Sequence, residues 1–141
     1  MGFLSWIFNG NEKKASELIE AYKIYHKCFK LVRIKMAVVN HVHEISFEKH
    51  DEYMLDKIFV NECAKNGVFD LYVDFKKRFS PDMPEINLKD LLIKVVNIPD
   101  AKNMIYSKEI KACYHACDCV LIDLYWEIKK IKPEWEFTDS K

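Results

Sequence analysis

Cys113, His115, Cys117 and Cys119 place a metal-ligating side chain at every second position of one short segment. Thiolate and imidazole are the ligands that tetrahedral zinc prefers. On a helix, however, residues two apart point roughly 200° away from each other. Cys113 and Cys117 are therefore expected on one face and His115 and Cys119 on another, and no single ion can take all four. A structural zinc site would need a second thiolate pair at Cys-x-x-Cys spacing, which the sequence lacks. Small core residues are the expected role for Cys113 and Cys117.

His41, His43 and His50 form a second cluster beside Glu44, Asp51 and Glu52. They are the metal candidates of this sequence. Neither His-Glu-x-x-His nor the Glu-x-x-His pair of di-iron bundles occurs among them. Histidines near a helix C-terminus are also favoured by the dipole alone, without any ion.

Nucleophilic and phosphate chemistry find no support. The chain has three glycines, Gly2, Gly10 and Gly67, and these form neither a nucleophile elbow nor a phosphate-cradling loop. Arg33 and His41 stand too far apart for the Arg-to-His spacing of small helical ribonucleases. The reading is a chain without catalysis and without a cofactor.

Aromatic residues suggest binding. Trp6, Phe8, Trp126 and Trp135 are the candidate contact residues, because tryptophan and large apolar side chains bury much area for little lost rotamer freedom. Met1 to Phe8 is apolar and precedes Asn9-Gly10-Asn11, which implies a greasy arm that packs on its own domain or engages a partner or a membrane surface.

The elements that position these residues follow from apolar spacing. Leu18, Tyr22, Tyr25, Phe29, Val32, Met36 and Val39 recur at helical steps, predicting a helix from Glu12 to about Val42 capped by Asn11. Ser46 is the expected cap of a second helix, with Tyr53, Leu55, Ile58, Phe59 and Cys63 inside and Asn66-Gly67 as its stop. Val68 to Phe79 fits a helix, with a strand near Phe69 to Phe75 as the alternative. Asn87 caps a short helix over Leu88 to Val95, and Ser107 caps a last long helix that Pro133 ends.

The predicted fold is all-α, a single-domain bundle of four to five helices, with an α+β fold carrying that one strand as the runner-up. Its organisation is an arm over 1–11, a bundle over 12–132 and a tail over 133–141. At 141 residues and 50% apolar content, one core is the natural size.

Lysine plus arginine and aspartate plus glutamate both number 22, so the chain lacks the excess positive charge that nucleic-acid binding draws on. Five cysteines, an odd number, without a secretory leader suggest a reduced cytoplasmic setting. The expected function is a small helical protein-binding module, an adaptor, inhibitor or toxin-neutralising partner that covers a surface or self-associates. The alternative is a metal- or cofactor-binding bundle that uses the histidine or cysteine cluster.

Overall fold

The computed structural model describes residues 2–39, 50–69 and 87–138, with the side chains of 1–9, Val38, 50–55 and Asp100 left undescribed. Four α-helices account for most of it: α1 over Gly2–Val39, α2 over His50–Lys65, α3 over Leu88–Val96 and α4 over Ser107–Ile131. No strand occurs among the described residues. The architecture is all-α.

A seven-residue rhythm explains why α1 and α4 pair. Ala21, Tyr25, Cys28, Val32 and Val39 are all buried, at alternating steps of four and three with one place between the last two. That missing place belongs to Lys35, itself wholly buried. On α4 the matching row is Ile110, Cys113, Cys117, Val120, Leu124 and Ile128. Such rows form one continuous apolar stripe on each helix and favour near-parallel axes.

α1 packs more extensively on α4 than on any other helix. Phe29 meets Tyr114 at 5.0 Å, whereas Tyr22, earlier in α1, reaches Trp135 beyond the end of α4. The two helices are therefore antiparallel. α3 and α2 close the rest of the core, α3 through Leu88, Leu92, Val95 and Val96.

Helix boundaries agree with local chemistry in most places. The Asn87 side chain accepts from the Asp90 backbone N–H at 3.2 Å and opens α3, as its residue type predicts. Gly67 adopts φ 70°, the left-handed geometry that ends α2, and its N–H donates to the Ala64 carbonyl. Lys132 closes α4 ahead of Pro133.

Three boundaries or faces differ from the sequence reading. α1 begins at Gly2 and passes through Asn9-Gly10-Asn11 without a break, so Asn11 is not its cap. An interior glycine weakens a helix by only about 1 kcal/mol, which long neighbouring turns absorb. Tyr106, not Ser107, is the residue before α4, and no side chain caps it. On α2 the buried row is Val60, Cys63 and Ala64, while Ile58 is 57% exposed. Ile58 lies five residues before Cys63, roughly 140° around the axis, so the two cannot share a face.

Ser46 and the segment 70–86, including the helix-or-strand question at Phe69 to Phe75, lie outside the described residues except for Phe69. Phe69 is buried against the Tyr25 ring.

Candidate functional site

An open groove of about 300 Å³ runs along one side of the α1–α4 pair. Tyr22, His26 and Phe29 line it from α1, and Asp118, Leu121, Ile122, Tyr125 and Trp126 line it from α4. The α1 residues recur at steps of four and three and so form one row. That row borders the core stripe, which explains rings that are half-buried rather than hidden.

The C-terminal tail packs against rings that line this groove. After α4, the Trp135 N–H donates to the Lys132 carbonyl and turns the chain back. Trp135 then packs edge-on against Tyr22 at 5.4 Å, and Phe137 lies 4.9 Å from Tyr22 and 4.5 Å from His26. Lys129 Nζ fastens the tail through Glu136 Oε1 at 2.6 Å and the Pro133 carbonyl at 3.1 Å. This contact holds the Glu136 carboxyl below its ordinary range and the Lys129 ammonium above its own. Burial, then the nearby Tyr125 and Asp118, pushes the Tyr22 hydroxyl up.

The opposite rim of the groove is uncovered. Ile122 is 50% and Trp126 61% exposed, one turn apart on α4. Two large apolar side chains on successive turns, bordering an aromatic groove with a single carboxylate in its wall, make a contiguous sticky surface.

The sequence candidates fall into separate groups. Trp126 and Trp135 come together at this groove through Tyr125, with ring centroids at 5.4 Å and 5.9 Å from it. Trp126 is at the open rim and Trp135 is packed within the tail. Trp6 and Phe8 lie on α1, and their side chains are outside the described residues. His41 and His43 are outside them as well, as is the side chain of His50, the first residue of α2. Among the described residues no three potential metal ligands converge, and no helix is long and apolar enough to cross a membrane.

The cysteines divide between faces as helical geometry requires. Cys113 and Cys117 are wholly buried, whereas His115 is exposed and Cys119 half-buried. All five cysteines are free. Burial pushes the Cys28 thiol well up, and Cys117 is raised by its hydrogen bond with Cys113 as well as by burial. Cys28 and Cys117 are therefore not disposed to act as thiolates.

Sequence reasoning did not single out Tyr22, His26, Asp118 or Ile122 as site residues. The signal available was Ile122 and Trp126 at a spacing of four, outside the row of Leu121, Leu124 and Ile128. Apolar residues off the core row of an amphipathic helix are the ones to examine for contacts.

No family model matches this chain, and neither a curated protein nor a solved structure shows significant similarity to it.

Proposed function

We propose that this protein is a binding module that acts by occluding a partner's surface, with no catalytic chemistry of its own. The groove between α1 and α4 is its contact site. It receives an apolar side chain of a protein partner, and a cation next to that side chain faces Asp118.

The observation that supports this reading is the uncovered Ile122 and Trp126 pair beside the groove. Isolated surface apolar residues are ordinary, but an adjacent pair continuous with an aromatic groove resembles the centre of an interface. Tryptophan is among the side chains most enriched at energetic hot spots. Tyr22, Tyr125 and Trp126 offer rigid rings with polar edges, suited to contact that is partly wet.

Affinity capture tests it. A tagged full-length chain is expected to retain a stoichiometric protein, either a different one from its host or an untagged copy of itself. Trp126→Ala and Ile122→Ser are expected to release it. Ile105→Ser, which alters a 75% exposed residue in the turn before α4, is expected to leave it bound. Equal recovery by all four proteins, or recovery of nothing, would overturn the reading.

A further inference from the structure

We infer that Tyr22, His26, Tyr125 and Lys129 form a docking site for an extended peptide segment with an aromatic, an acidic and a second aromatic residue in succession. The chain's own tail fills this site in cis, and a partner protein's segment of that chemistry enters by displacing it. This inference rests on the binding reading above and adds a second contact site beside the groove.

Three consecutive tail residues each have a receptor of their own. Trp135 sits between the two helices, edge-on to Tyr22 of α1 at 5.4 Å and 5.9 Å from Tyr125 of α4. Phe137 lies against the shelf made by Tyr22 and His26, whose rings are nearly parallel at 17° with centroids 6.2 Å apart. Between them, Glu136 meets Lys129 Nζ at 2.6 Å and accepts from the Tyr125 hydroxyl at 3.5 Å. Lys129 is already placed for an acidic ligand: its side chain is only 17% exposed, and its ammonium stands 5.5 Å from the centre of the Tyr125 ring.

The tail is held by its side chains far more than by its backbone. Glu134, Glu136 and Thr138 are exposed while Trp135 and Phe137 are half-buried, the alternation of an extended chain lying on a surface. Among the described residues, its one backbone-to-backbone hydrogen bond is the turn from the Trp135 N–H to the Lys132 carbonyl. Neither Trp135 nor Phe137 is part of the buried core, so lifting the tail uncovers Tyr22 and His26 without opening that core.

Charge favours the same class of ligand. The tail carries Glu134, Glu136 and Asp139, and the end of α4 carries Lys129, Lys130 and Lys132. A segment whose aromatic residues are interleaved with acidic ones is therefore attracted, and a basic one is repelled. A tethered occupant competes at an effective concentration on the order of millimolar, so the docked tail turns away a weak ligand and yields to one that binds better.

Fluorescence anisotropy of a labelled synthetic peptide spanning residues 132–141, added to the full-length chain, tests this. Trp135→Ala with Phe137→Ala in the protein empties the site, and that chain should bind the peptide saturably. The unaltered chain should bind it at least about tenfold more weakly, because its own tail competes. Replacing either aromatic residue of the peptide with alanine should cost about tenfold or more. Lys129→Glu in the emptied chain should also weaken binding. A peptide carrying Glu136→Lys should then regain part of the loss, because the opposed pair is restored with its signs exchanged. Ile105→Ser should change nothing. Glu136→Ala in an otherwise unaltered chain loosens the tail through a surface contact alone and should raise its affinity for the peptide. Circular dichroism of each variant checks that the helices persist.

An emptied chain that binds no peptide would overturn the inference. So would equal binding by the emptied and unaltered chains, or binding indifferent to Lys129→Glu. The groove reading fails separately: capture of a protein that Trp126→Ala abolishes stands even where the peptide finds no site at the tail.

Discussion

Lys35 Nζ donates to the Ile98 carbonyl at 2.7 Å across 63 residues of chain, from a side chain with no exposed surface. It occupies a core position of α1 and ties that helix to the connection that follows α3. Asn103, equally buried, approaches the same ammonium with Oδ1 at 3.5 Å. A cation in this place desolvates at considerable cost, which the carbonyl and amide oxygens help to offset while they remain aimed at it.

Lys35→Met should therefore destabilise the fold even though methionine fills most of the volume. The Ile98 carbonyl loses its charged donor, and Asn103, whose Nδ2 already has no partner among the described residues, loses another contact. A loss of about 2 kcal/mol in urea unfolding is expected, the scale of a hydrogen bond to a charged group. Unchanged or increased stability would mean that the lysine is a net burden which the core bears for another reason.

The tail should respond to pH at both extremes. Glu136 is held below the usual carboxylate range by Lys129, so its contribution to docking is complete above the ordinary carboxylate pKa and is lost as pH falls through the lowered value. Lys129 is held above the usual lysine range, first by the hydrogen bond to Glu136, so its contribution is complete below the ordinary lysine pKa and is lost as pH rises through the raised value. Docking is then fullest across the neutral region and weakens in acid and in strong base. The contact is at the surface, and salt should screen it. Nuclear Overhauser contacts between Trp135 and Tyr22, followed by pH titration, report this directly. Contacts that persist undiminished into acid would assign the tail's docking to its rings alone.

Sequence and structure agree where a single helix determines the outcome. Asn87, Gly67 and Pro133 mark helix ends through backbone chemistry that acts within a turn, and all three act as their residue types require. The split of Cys113 and Cys117 from His115 and Cys119 needs only the pitch of a helix. Partner-dependent features were harder to read. Lys35 stands on the rhythm of Tyr25, Cys28 and Val32, yet nothing local marks a lysine there as buried, and its nearest oxygen, the Ile98 carbonyl, is more than sixty residues away in sequence. Ile58 counted as core on apolarity alone, and only the neighbours of α2 decide that Val60 takes that role. The groove residues Tyr22 and His26 are defined by where α4 and the tail lie, which no periodicity within α1 encodes.

Cysteine chemistry offers a probe of how tightly this core is closed. Cys28, Cys63, Cys113 and Cys117 are buried, and Cys119 alone of the five is half-buried. Its thiol is nonetheless raised above the ordinary range, first by burial and then by Asp118 and Asp123. Since the thiolate is the reacting species, iodoacetamide should modify Cys119 first but slowly at neutral pH, and the rate should keep climbing as pH rises past the usual thiol range. Asp118→Asn should hasten it by removing one of the two repelling charges. The other four should follow only as fast as the protein opens, because a closed core excludes the reagent altogether. Mass spectrometry of peptides from a labelling time course separates these classes. Early modification of Cys28 or Cys117 together with Cys119 would mean that α1 and α4 part readily, and that the α1–α4 groove is the edge of a separating seam and not a fixed depression between firmly packed helices.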